Sequence, residues 1–129
     1  MRYLNYPVDR EMELVESEKL VTLKFISQQD PIFIEHFPGF SIYPGSMIMN
    51  SVIVTLELLL SYSGLAHLTR DKIIFKNVKF KNMCLPGDAI KTEVAFLDGD
   101  QLKFQVKGYF ANSVLCTGRI LIRNEVSDE

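Results

Sequence analysis

The run "SMIMNSVIVTLELLLSYSG", residues 46–64, decides the fold. It is apolar nearly all round, through Met47, Ile48, Met49, Val52, Ile53, Val54, Leu56, Leu58, Leu59 and Leu60. The pattern predicts a helix over roughly 45–63. Pro44 stands at or just before its first turn, where a missing N–H costs nothing. Gly64 is placed to stop it. A helix in water with that profile must be wrapped by other elements. The competing reading is a membrane span. The run is borderline in length and carries Asn50 and Glu57, so a core helix with no membrane partner is the expectation.

The rest of the chain supplies the wrapping. Residues 8–16 and 19–27 read as strands around the polar turn "ESEK", with Val21, Leu23 and Phe25 alternating with Thr22 and Lys24. After the helix, "KIIFKNVKFKN" sets Val78 and Phe80 inward and Lys79 and Lys81 outward. "GDAIKTEVAFL" puts Ile90, Val94 and Phe96 on one face and Lys91 and Glu93 on the other. Asp98-Gly99-Asp100 makes a hairpin turn. "QLKFQVKGYF" sets Leu102, Phe104 and Val106 against Lys103, Gln105 and Lys107. Ala111-Asn112-Ser113 turns again into "VLCTGRILIR". Strands joined by short turns form an antiparallel sheet. The expected fold class is therefore α+β, one long helix with an antiparallel sheet curled around it.

Composition sets the outer limits. The 129 residues are 47% hydrophobic and 23% charged, ordinary for a globular domain, and the formal net charge is -2. That balance gives no electrostatic footprint for nucleic acid. Cys84 and Cys116 lie far apart and the two histidines are isolated, so no metal-ligand spacing exists. Two buried free thiols in a reducing cytoplasm are expected. The start, "MRYLNYPVDRE", has no apolar core before a cleavage site, so no signal peptide is expected. With no repeat and no linker-like stretch, residues 1–129 read as one domain with an acidic tail at about 125–129.

One segment is neither helix nor regular strand. "QQDPIFIEHFPGFSIYPG", residues 28–45, is a long loop rich in Phe and Ile, and loops of that length in a compact domain are usually functional. Here "DPIFIEHFPGFSIYPGSMIMN" resembles the signature of the 3-hydroxyacyl-(acyl carrier protein) dehydratases of fatty-acid synthesis. Asp30-Pro31, His36-Phe37-Pro38-Gly39 and Pro44-Gly45 fall in register with it. "NVKFKNMCLPGD" is similar to that family's strand of basic and aromatic residues ending in Pro-Gly-Asp. The resemblance covers roughly residues 8 to 123. It implies the hot-dog fold and a dimer whose two sites each take a histidine from one subunit and a carboxylic acid from the other.

The resemblance assigns roles. His36 is the base, with a pKa suited to proton transfer near neutral pH. The Gly45 N–H, at the positive end of the helix, would polarise a thioester carbonyl. Phe37, Pro38, Gly39, Tyr43, Pro44 and Met49 would line the substrate tunnel. Three positions depart from the family pattern: Asn50 stands where the catalytic Glu or Asp is expected, Val54 where a Gln is usual, and Ser41 where Pro is frequent. An amide cannot release a proton at neutral pH. Glu57, two helical turns further on, is too distant to replace it, while Glu35 and the Tyr43 hydroxyl are nearer substitutes. Asn50 could alternatively be a buried amide satisfied by neighbouring backbone.

Three enzyme readings stay open: a dehydratase of a specialised acyl or polyketide pathway, a degenerate subunit completed by a second hot-dog chain, and a thioesterase. A non-catalytic carrier-binding scaffold is the reading from a different class. The implied partner is an acyl carrier protein, whose phosphopantetheine carries the substrate; no metal or redox cofactor is implied. Arg70, Lys72, Lys76, Lys79 and Lys81 put five cations in twelve residues. Of these, Lys76 and Lys79, with Lys81, are the expected docking rim for that acidic carrier.

Overall fold

A computed structural model describes residues 6–27, 43–65 and 70–123. The strands are β1 (Arg10–Val15), β2 (Lys19–Phe25), β3 (Ile73–Phe80), β4 (Ala89–Asp98), β5 (Gln101–Gly108) and β6 (Val114–Ile122). The helix α1 (Gly45–Tyr62) lies between β2 and β3 in sequence, and a 3-10 turn, Arg70–Lys72, leads into β3. All pairings are antiparallel, in the order β1-β2-β4-β5-β6-β3. The helix packs on β4 and β2, and to a lesser extent on β5. This is the helix-in-sheet arrangement of the hot-dog fold.

The helix starts and stops where its residues dictate. Pro44 is the N-cap, extended at φ -65° and ψ 145°. Gly64 takes φ +78°, and the Leu65 N–H donates to the Leu60 carbonyl at 2.7 Å while the Gly64 N–H donates to that of Ser61. Those two bonds close the left-handed C-terminal motif that favours glycine. Turns form as their residues suggest: Ser17, Gly99 and Asn112 all take positive φ.

The core is the layer between α1 and the inner face of the sheet. Ile48, Val52, Leu56, Leu59 and Leu60 meet Leu20, Ile90, Val94, Leu102, Phe104, Val106, Cys116 and Ile120, all buried. The expected inner residues of β4, β5 and β3 take that face. Phe80 does so only at the rim: it pairs with buried Cys116 yet stays 54% exposed.

Strand β2 keeps its alternation, and the structure decides which of its faces is the inner one. Thr22 and Lys24, not Val21, Leu23 and Phe25, share the inner face. Leu20 is opposite Val94 and Thr22 is opposite Thr92, and the Thr22 and Thr55 hydroxyls meet at 2.7 Å. Val21 and Leu23 are buried on the opposite face, and Phe25 is exposed. The polar residues are tolerated inside because they are partnered. Thr55 Oγ1 donates to the Ser51 carbonyl at 2.7 Å, so the single remaining hydroxyl proton in that contact must come from Thr22. The Lys24 ammonium, 3% exposed, lies 3.8 Å from the Asp9 carboxylate.

Candidate functional site at the start of the central helix

Among the described residues, no side chain caps the positive end of α1 and its first turn holds no acid. Unpaired N–H groups at such an end favour an oxyanion or a polarised carbonyl. Tyr43 and Pro44 present this end from below. Tyr43 is buried, and its N–H donates to the Cys84 carbonyl at 2.9 Å, tying the entry of the helix to the segment after β3.

The Phe80 ring roofs the same point. A Cβ on Gly45 would stand 3.0 Å from two of its carbons. A side chain there would need the half-exposed Phe80 ring to give way, so glycine lets the ring lie against the start of the helix. Half-exposed beside the helix start, Phe80 is a candidate wall of the site together with the expected Tyr43, Pro44 and Met49. Sequence alone gave no sign of this role.

Asn50 occupies the helix face turned away from the sheet and is exposed. Among the described residues its amide makes one weak contact, a 3.7 Å approach to the Met47 sulfur. The alternative of a buried amide satisfied by backbone is thereby excluded. Glu57, further along the helix, is held by Arg70 through two bonds of 2.7 and 3.0 Å. Glu57 and Arg70 are thus engaged with each other. Val54 is half-buried beside Asn50 on the same face.

His36, Phe37, Pro38 and Gly39, with Glu35 and Ser41, lie outside the described residues. The structure thus brings together Tyr43, Pro44, Gly45 and Phe80 at the helix start, with Met49 and Asn50 about one turn further along.

The Pro-Gly-Asp element has an architectural role. Asp88 accepts from the N–H groups of Ala89 at 2.7 Å, Phe110 at 2.8 Å and Ala111 at 3.4 Å. A Cβ on Gly108 would lie 2.9 Å from the Asp88 carboxylate, so glycine admits the acid to the β5–β6 turn. Both cysteines are free and buried. Burial, and secondly the Asp88 charge, push the Cys84 thiol up to about 12; burial pushes Cys116 up to about 11. Neither is a thiolate nucleophile near neutral pH.

The three expected docking lysines, Lys76, Lys79 and Lys81, are all exposed. Lys76 stands opposite Arg119 and Lys79 opposite Thr117 on the outer face of the sheet. A groove of about 420 Å³ opens there, lined by Lys79, Lys103, Arg119, Glu93, Gln105 and Thr117 among others. Alternation pointed Lys103 outward, but only the register sets it beside Arg119.

The model of the ApeI-like family, the ApeI dehydratase, matches residues 12–119. A 3-hydroxyacyl-[acyl-carrier-protein] dehydratase FabZ from Geobacter metallireducens is 36% identical over 98 residues, 73% of this chain and 65% of that protein. The FabZ of Caldicellulosiruptor saccharolyticus is 32% identical over 123 residues, 93% of this chain and 88% of that one. Among solved structures, a chain of the dehydratase heterocomplex ApeI:P from Xenorhabdus doucetiae superposes with a TM-score of 0.68 at 16% identity, covering 91% of this chain and 96% of that chain. Thioesterase superfamily member 2 from Mus musculus gives 0.68 at 12% identity, covering 88% and 79%. The two structural likenesses carry the fold alone, whereas the family model spans most of the sheet and the whole central helix: the chain belongs to the ApeI-like dehydratase family.

Proposed function

We propose that this chain is a cytoplasmic 3-hydroxyacyl-carrier dehydratase subunit that works opposite a second hot-dog subunit, which supplies the carboxylic acid missing at Asn50. The observation that carries the reading is the placement of Asn50. It is exposed on the sheet-averted face of α1, near an uncapped helix start, and cannot release a proton. In a dimer whose two sites each take a histidine from one subunit and an acid from the other, the site served by His36 then draws its acid from the partner. The dehydratase heterocomplex among the structural neighbours supports pairing between such chains.

In this mechanism His36 takes the C2 proton of the bound 3-hydroxyacyl thioester. The Gly45 N–H donates to the thioester oxygen as enolate character develops. The C–O bond at C3 then breaks, and the leaving hydroxyl receives a proton from the partner's carboxylic acid. Water and a 2-enoyl thioester result. The site containing Asn50 lacks the acid and is silent. Lys76, Lys79 and Lys81 attract the acidic carrier that brings the substrate.

The test supplies a 3-hydroxyacyl-carrier substrate to the chain alone, to the chain with a partner hot-dog subunit, and to an Asn50→Glu variant. The heteromer should form enoyl product. In it, His36→Ala should abolish turnover while Asn50→Ala leaves it unchanged. The isolated chain should be slower by on the order of a hundred- to ten-thousand-fold, and Asn50→Glu should recover part of that loss. Full activity of the isolated wild type would overturn the partner requirement. Release of free acid would make the chain a thioesterase, and no product from any combination would leave a carrier-binding scaffold.

A further inference from the structure

Beside Lys76 and Lys79, which the proposed function gives to the carrier, the outer face of the sheet holds two further cations, Lys103 and Arg119, that the reaction does not use. Register places Lys76, Arg119 and Lys103 directly opposite one another across β3, β6 and β5, with Ala95 of β4 completing the rung. The next rung is Lys79, Thr117, Gln105 and Glu93. Three cations in one rung repel, since like charges directly opposite destabilise a sheet. Among the described residues none of these cations forms an ion pair, and the chain as a whole is net negative. The rungs do not form a flat stripe. All of their residues except Lys76 line the 420 Å³ groove, which also holds Asn77 at its edge. The bulge between Lys76 and Lys79, with Asn77 at φ +57°, opens that edge.

We infer that this groove binds the phosphate group of a small phosphorylated molecule. A tetrahedral anion offers several acceptors. The groove meets them with the Arg119 guanidinium, two ammonium groups, a hydroxyl and two amides converging from three strands. A concave cup of that size suits a small ligand better than the flat acidic surface of a protein. Glu93, at the far wall, would accept from a hydroxyl or amine on the rest of the molecule. The phosphate can belong to a free metabolite or to the phosphodiester of a prosthetic arm. The inference does not rest on the dehydratase reading, because Lys103 and Arg119 take no part in that chemistry.

Inorganic pyrophosphate is the probe, titrated into the full chain by calorimetry at fixed ionic strength. Saturable binding with Kd below about 1 mM is expected. Amide shifts in the NMR spectrum should be confined to the neighbourhood of Asn77, Gln105, Thr117 and Gly118. Lys103→Gln and Arg119→Gln should each weaken binding by about tenfold or more. Both variants should fold, since each relieves like-charge repulsion, and pyrophosphate should raise the melting temperature of the wild type but not theirs. Displacement by coenzyme A but not by pantetheine supports a phosphate site filled by a free molecule. Displacement by the holo-carrier but not the apo-carrier supports the same site filled by the arm. Absence of saturable binding, or binding unchanged in the double variant, overturns the inference. So does equal loss of apo- and holo-carrier binding in the variants without loss of pyrophosphate binding, because the face would then be a protein-docking surface.

Discussion

The two faces of the central helix have similar apolar content and opposite fates. The inner face, with Ile48, Val52, Leu56, Leu59 and Leu60, is closed against the sheet. It even accommodates Ser51 and Thr55, because Ser51 Oγ donates to the Pro7 carbonyl at 2.7 Å and Thr55 joins the bond pair with Thr22. The other face carries Met47, Met49, Ile53, Val54 and Leu58, all half-buried, together with exposed Ser46 and Asn50. Seven of the helix residues are buried, which leaves an apolar helix only half covered by its own sheet. An all-round apolar helix whose own sheet closes one side needs a second surface. That difference separates residues that hold the chain together from residues available to an interface and a shared site.

The comparison breaks most sharply at Leu56, which is fully buried. Leu56→Ala should cost about 2–5 kcal/mol of unfolding free energy, read from urea denaturation, through lost transfer energy and a residual cavity. A cost near that of a surface position would mean that the inner face is not the core. Thr55→Val tests the polar part of the same face. It keeps the shape but leaves the Thr22 hydroxyl without its acceptor, and about 1–3 kcal/mol should be lost. A double variant with Thr22→Val should recover much of that loss, because removing both partners leaves no orphaned group.

The fold was legible because its signals are periodic. Helix limits, turn residues and the inner faces of β4 and β5 follow from spacing and Gly, Pro or Asn placement. Strand β2 was only half legible, because alternation shows which residues share a face, not which face meets the helix. Only the Thr22–Thr55 bond and the pairing with β4 decide that. The candidate site was marked in the sequence by its motif, through Pro44, Gly45 and Asn50, which the structure places at the start and first turns of the helix. The Phe80 roof and the alignment of Lys103 with Arg119 and Lys76 were not, because both depend on long-range register that no local pattern encodes. Asp88 was visible as a motif residue, yet its three backbone partners lie in its own strand and in the turn after β5.

The thiols sharpen the same contrast through pH. Both lie inside the closed layer and keep their protons in the fold well above the ordinary thiol range. The unfolded chain releases them near pH 8.5. Their contribution to stability is therefore complete below that value. It declines as pH rises, until the folded thiols titrate at about 11 for Cys116 and about 12 for Cys84. A Cys84→Ala, Cys116→Ala variant should show a shallower fall in stability above pH 8.5, measured by urea titration across that window, whatever its absolute stability. The native wild type should resist iodoacetamide at pH 8, and rapid alkylation there would place a thiol outside the core.

The smallest effect on stability is expected at Asn50. Its side chain is exposed and its recorded contact is a long approach to a thioether, so the folded chain gains little from the amide. Asn50→Ala should shift the unfolding free energy of the isolated chain by less than about 0.5 kcal/mol, the ordinary range for a surface substitution. A loss several times larger would show that the amide is built into the fold. It would then have a structural reason to stand there, and the proposed use of the helix's open face in a shared site would lose its support. A neutral result, with Ile53→Ser weakening association with the partner subunit while leaving the chain folded, would assign that face to the interface.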